Sequence, residues 1–297
     1  MKKTGANYLI LSLAIALLFF SCVSQKKAIS VKKDMAAVDS QLVNHSSRLK
    51  ELDAQRQKKE EQNEIDDTTN SRIQKFINRT NAEIDTLIRQ NTIVIGTAVV
   101  NRADWDRLLK VLSASRMSSK KIGDKISFLS DLISRNTVVK IDQDVFFEPG
   151  KYIIVPELAN TITKIFEPAA KEIELFTRKY PNFPLSLVIT ANGYADATLI
   201  AEESALYRDL KERLKLKVPE PDANEINKEL SRARAEEVIG LFKKFSAGRS
   251  ADGSNLKNVL YFWEGKGDKL PDPKITDYTV DDARRRVVLL FWSVFPE

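Results

Sequence analysis

Cysteine and histidine are nearly absent from this 297-residue chain: it has one of each, Cys22 and His45. A single cysteine allows no internal disulfide and no multi-cysteine metal site. A single histidine removes most histidine-based catalysis and most zinc chemistry. No phosphate-binding loop follows an apolar run, and Gly265-Lys266-Gly267 is too short to be a dinucleotide fingerprint. The adjacent acids Asp66-Asp67 and Asp281-Asp282 are of the kind usually solvated, and nothing favours a glycosidase-type carboxylate pair. The expectation is a protein that is not an enzyme, with no cofactor and no metal. Excess charge is also small. The 47 basic and 41 acidic residues leave a net +6, interspersed and without a basic block interleaved with aromatics, so nucleic acid is not an expected partner. The apolar run 8–20 is short for a bilayer span, and it carries no acidic residue of the kind a proton-conducting helix needs.

That run does fit a targeting segment. Lys2 and Lys3 precede it, and it closes in Leu18-Phe19-Phe20-Ser21-Cys22, which resembles a bacterial lipobox. Residues 1–21 are therefore expected to be a lipoprotein signal peptide, with Cys22 lipidated. Acyl chains there would add about 0.8 kcal/mol of membrane affinity per buried methylene. Val23, Ser24, Gln25, Lys26 and Lys27 follow with no acidic run, and the expected location is the periplasmic face of the outer membrane, held by the lipid anchor.

Residues 22–136 read as a helical, coiled-coil spacer. Val31, Met35, Val38, Leu42, His45, Leu49 and Leu52 recur at alternating spacings of four and three, the period of a coiled-coil seam. His45 sits on that seam, where a polar residue can set register. The seam lapses near 56–67, with a break or hinge at Asp66–Asn70, and resumes with Ile73, Ile77, Ile84 and Leu87. If mostly helical, residues 26–90 would reach about 90 Å at 1.5 Å per residue. Residues 91–100 (NTIVIGTAVV) suit either a strand or a continued helix. Asp104 can cap a helix carrying Trp105, Leu108, Leu109 and Leu112, and Ile122, Ile126, Leu129 and Ile133 mark a face that could pack back as a hairpin. Spacing does not separate a self-paired coil from one paired with an envelope protein.

From residue 137 the pattern changes. VVKIDQDVFF reads as a strand and EPG as a turn; 156–180 as a helix containing Pro168; 185–191 as a buried strand; 224–245 as an amphipathic helix; 259–263 and 286–295 as further strands. Strands alternating with helices predict an α+β domain, a mixed sheet with helices packed on it. Residues 197–223 interrupt it with their own short helix (Leu206, Leu210, Leu214). On the helix 224–245, Arg234 falls four residues from both Leu230 and Val238, beside the apolar stripe, where a guanidinium needs a partner. Asp196 follows the buried strand and its closing Gly193. Facing each other, the two could hold a ligand bearing both an amine and a carboxylate. The alternatives are an internal Asp–Arg ion pair, or Asp196 capping a following helix.

Taken together, Gly193-Tyr194-Ala195-Asp196 and then Asn227, Leu230, Ser231, Arg234, Ala235 and Val238 resemble the OmpA-like peptidoglycan-binding domain family, which includes the peptidoglycan-associated lipoprotein and MotB. Phe147, Gly150, Pro156 and Glu157 resemble its opening. Gly265, Gly267, Pro271 and Arg285-Arg286-Val287 resemble its late elements. The resemblance covers roughly 136–297. It implies an OmpA-like C-terminal domain at 137–297, with Asp196 receiving the amine of diaminopimelate, Arg234 its carboxylate, and Asn227 and Arg286 flanking the site. The implied partner is peptidoglycan, reached through its diaminopimelate stem peptide, with the outer membrane held by the lipid. The departures are Tyr194-Ala195 in place of His-Thr, Arg284 in place of asparagine, and the insertion at 197–223. They feed a second expectation: an assembly subunit of an outer-membrane complex that keeps the fold, has lost the ligand, and works through its coiled coil and insertion.

Overall fold

The structure, a computed structural model, describes residues 25–99, 101–135, 137–148, 150–215, 218, 220–247 and 255–297. Residues 1–21, expected to be a signal peptide, and Cys22, expected to be lipidated, lie outside the described residues. The described chain is mixed α and β, with a helical N-terminal region and a four-stranded mixed sheet. It divides into two units: Met1–Asp53 with Lys75–Ser130, and Ala54–Gln74 with Asp131–Glu297.

The first unit is helical. It is built from parts of α1 (Gln25–Glu61), α2 (Asp67–Gly96) and α3 (Arg102–Ser134). The seam positions Met35, Val38, Leu42 and Leu49 of α1 are buried, as are Ile77 and Ile84 of α2 and Leu108, Leu112, Ile122, Ile126 and Leu129 of α3. The three apolar faces therefore cover one another within one chain. The stretch 26–90, expected to reach outward if mostly helical, is instead divided between α1 and α2, with a turn after Glu61. The ambiguous run 91–100 continues α2 as far as Gly96.

Polar groups fix the register of these helices. Asn91 on α2 is fully buried, and its Nδ2 donates to Asp39 Oδ1 of α1 (2.6 Å) and to Ser115 Oγ of α3 (2.8 Å). One amide thus ties three helices, the role a lone buried asparagine can play in a coiled coil. Arg116 pairs with Asp34 at 2.9 Å, and Lys125 with Glu83 at 2.7 Å. His45 is half-buried. Burial lowers its pKa from 6.5, against the opposing influence of a hydrogen bond with the Ser119 backbone.

The second unit holds the sheet, in the order β1-β4-β2-β3: β1 (Val138–Asp142), β2 (Leu185–Gly193), β3 (Leu256–Gly265) and β4 (Val287–Pro296). β4 is antiparallel to both β1 and β2, and β3 runs parallel to β2. All of β2 and almost all of β4 are buried, as expected of central strands rich in Leu, Val, Ile and Phe. The run expected as one strand, VVKIDQDVFF, stops at Asp142 and turns into the short helix α4 (Gln143–Phe146). A strand would send Phe146 and Phe147 to opposite faces; here both are buried.

Helices α5 (Pro156–Lys179) and α7 (Ala223–Ala247) meet through Phe166 and Phe242, whose rings lie 5.0 Å apart edge to face. α7 packs on β2 and β3, and two glycines make this possible. A Cβ on Gly193 would lie 1.9 Å from Ser231 O, and one on Gly265 would lie 1.9 Å from Lys228 O. The two glycines are neighbours across the β2–β3 ladder, so the helix backbone rests directly on the strand ends.

The other face of the sheet receives the stretch Ala54–Gln74. Gly193 pairs with Val288, so Ser293 and Phe295 project away from α7. Thr69 Oγ1 lies 2.9 Å from Ser293 Oγ, and Arg72 stacks 5.8 Å from the centre of the Phe295 ring. Lys266 pairs with Asp67 at 2.9 Å and Lys274 with Glu64 at 3.0 Å. This docking is why the sheet unit begins at Ala54 and not only at the expected boundary near 137: the residues read from sequence as a break are held against β4.

Candidate ligand cleft

The site is built at the carboxyl end of β2, where open sheets commonly place ligands. Backbone hydrogen bonds on both sides hold the segment beyond Gly193. Tyr194 N donates to Val287 O, Ala195 N to Gly267 O and Ala197 N to Val280 O, each at 2.8 Å. Gly267 N in turn donates to Ser231 Oγ of α7 at 3.0 Å. Arg285 is buried, and it clamps the next loops by donating to the carbonyls of Thr279 and Asp268. The loop carrying Asp196 is thus fastened to β4, to the β3–β4 connection and, through Gly267, to α7.

A cleft of about 430 Å³ opens there. Asp196, Asn227, Arg234 and Arg286, spread over 91 positions of sequence from 196 to 286, all line it. Asp196 Oδ1 accepts from Thr198 N at 3.1 Å and also from the Thr198 hydroxyl, and Oδ2 accepts from Arg286 at 2.7 Å. Its side chain is 12% exposed and that of Arg286 is 27% exposed. Burial alone would raise the Asp196 pKa. The hydrogen bonds from Thr198 and Arg286, with the guanidinium charge, outweigh burial and hold it below the ordinary value of 3.8. Asn227 reaches in from α7 and donates to the carbonyls of Thr198 (3.2 Å) and Asp196 (3.5 Å), fixing the loop from beneath. Arg234, two turns further along α7, is buried. Its Nε donates to Lys151 O at 3.1 Å, and its guanidinium sits 5.4 Å from the centre of the Phe147 ring.

These positions refine the sequence reading. Arg286, expected only to flank the site, bonds Asp196 directly, so the internal ion pair weighed for Asp196 exists, with Arg286 as the partner. Asp196 also caps a local turn through Thr198. Two departures from the family pattern point elsewhere. Tyr194 is buried with Val287, Leu289 and Phe291, and burial pushes its hydroxyl up to about 12. Arg284 pairs with Asp277 and Asp282 and stacks on Tyr278. Neither is among the residues lining the cleft, whereas Ala195 is. The sequence reading gave no site role to Phe147, Thr198, Ile200 or Leu206; Phe147 stood only as a motif residue, and Thr198 and Ile200 lie within a segment without a motif.

The arrangement can hold charge of both signs. Two guanidinium groups suit an anionic oxygen pair, and one carboxylate suits a cation. Among the described residues, no group of three or more His, Cys, Asp or Glu could hold a metal ion, and no helix is long and apolar enough to cross a membrane. No protein-family model matches this chain, and no curated protein matches it significantly.

Proposed function

We propose that the chain is a lipid-anchored envelope protein whose domain at 137–297 is OmpA-like and binds peptidoglycan non-covalently through diaminopimelate. The observation that carries this reading is the convergence of Asp196, Asn227, Arg234 and Arg286 on one cleft. A ligand ammonium is received at Asp196 and a ligand carboxylate at Arg234, whose position is set by Lys151 O and the Phe147 ring. With lipid on Cys22, the protein tethers the outer membrane, from its periplasmic face, to the cell wall. Sedimentation of the full chain with purified peptidoglycan sacculi tests it. The parent is expected to pellet and Asp196→Ala and Arg234→Ala to stay in the supernatant; a parent that does not pellet refutes the reading. Mass spectrometry is expected to find acylated Cys22 as the mature N-terminus, and an unmodified Cys22 refutes the anchor.

One observation favours a second reading. Asp196 is already satisfied inside the molecule by Arg286 and Thr198, as it would be in an assembly subunit that had lost its ligand. Failure of the parent to pellet, with co-purification of an envelope complex, supports that reading.

A further inference from the structure

The cleft has a charged side and an apolar side. The apolar side comes from the 197–223 segment: Ile200 and Leu206 line the cleft beside Leu230 of α7. This wall is fixed. Behind it, Leu210 and Leu214 of α6 (Ala205–Leu214) are buried against Ile226 and Leu230. Arg213 of α6 donates to Glu229 (2.9 Å) and Glu236 (2.8 Å), both on α7, and stacks 5.2 Å from the centre of the Tyr152 ring. The Tyr152 hydroxyl donates to Asp209, closing the brace on a second side. A wall already ordered before the ligand arrives adds little ordering cost to binding.

We infer that this wall makes the cleft selective for the length of the aliphatic chain between a ligand's charged groups. The inference rests on the diaminopimelate reading above and adds its specificity-determining residues. A ligand with the ammonium of one end at Asp196 and the carboxylate of its opposite end at Arg234 lays the methylenes between them along Ile200 and Leu206. Each methylene covered by apolar surface is worth about fourfold in affinity. The charged residues recognise the ends and the wall measures the spacer.

The test is calorimetric titration of the full chain, in detergent, with two probes. One is a disaccharide-tripeptide ending in meso-diaminopimelate; the other is its homologue ending in diaminoadipate, one methylene shorter. The parent is expected to prefer the first by about fourfold. Ile200→Thr keeps the β-branched shape, and Leu206→Ser shortens the side chain; each is expected to bring the preference close to one and to weaken binding of the longer probe by about tenfold. Ile200→Val and Leu206→Met should retain the preference. Leu199→Ser should be indistinguishable from the parent, since Leu199 is 79% exposed and does not line the cleft. Thermal unfolding is followed on every variant; should Leu206→Ser not fold, Ile200→Thr decides. A parent that binds both probes equally, or wall variants that keep the parental preference, overturns the wall and leaves the peptidoglycan reading standing. A parent that binds neither probe overturns both.

Discussion

Replacing Gly193 with alanine is expected to dislodge α7 from the sheet. The added Cβ would sit 1.9 Å from Ser231 O and 2.7 Å from Ser231 C, both backbone atoms of the helix. Ordinary contact begins near 3.4 Å, so the helix must retreat by about 1.5 Å. No side-chain rotation relieves the clash, because neither partner is a side chain. A retreat opens space beneath Val238, Ile239 and Phe242, all buried, and stretches the bond from Gly267 N to Ser231 Oγ. Overpacking, the gaps and the lost hydrogen bond together should cost about 3–5 kcal/mol. Urea unfolding followed by tryptophan fluorescence can read this, because Trp292 is buried on β4. With a slope of roughly 1–3 kcal/mol per molar urea, the midpoint should fall by more than about 1 M. Gly240→Ala on the same helix is the control: a Cβ there meets nothing within 4 Å, so it should raise stability by about 0.5–1 kcal/mol. A Gly193→Ala midpoint equal to the parent's would refute the claim that helix and strand touch through backbone at this point. Because α7 also carries Asn227 and Arg234, the same substitution should impair sedimentation with sacculi.

Two more expectations come from polar groups. Asn91→Ala should destabilise the helical unit by about 1–3 kcal/mol, because Asp39 and Ser115 lose their shared donor; circular dichroism melts at 222 nm would register it, and an unchanged melting temperature would contradict the three-way tie. Asp196 gives a pH signature. Its folded pKa lies below its ordinary 3.8, so its contribution to stability is complete above about pH 4 and is lost as pH falls through the lower folded value. The difference in melting temperature between the parent and Asp196→Asn should therefore be largest at neutral pH and shrink below pH 4; a difference that grows with acidification would reverse the sign argued here.

Periodicity alone made much of this chain legible. The four-three seam in α1, the helix around Arg234 and the apolar strands β2 and β4 could be read from spacing because burial imposes those periods on any amphipathic element. The short insertion helix was readable from Leu206, Leu210 and Leu214 for the same reason. Residue type added one firm restriction, since a single cysteine allows no internal disulfide.

Which surfaces meet was decided only in three dimensions. A seam states that a helix must cover one face, but not with what; here the cover is the same chain folded back, with Asn91 matched to acceptors at positions 39 and 115. The break at Asp66–Asn70 became part of the sheet unit because Thr69 finds Ser293 and Asp67 finds Lys266, pairings across some 200 residues that no local pattern encodes. Asp196 was legible as a candidate, but its partner was not: Arg286 was one of several nearby arginines, and only the packing of the β4 entrance selects it over Arg284 and Arg285. Local sequence sets which face of each element is apolar; the closing of distant segments sets which charge meets which, because that depends on the summed geometry of everything between them.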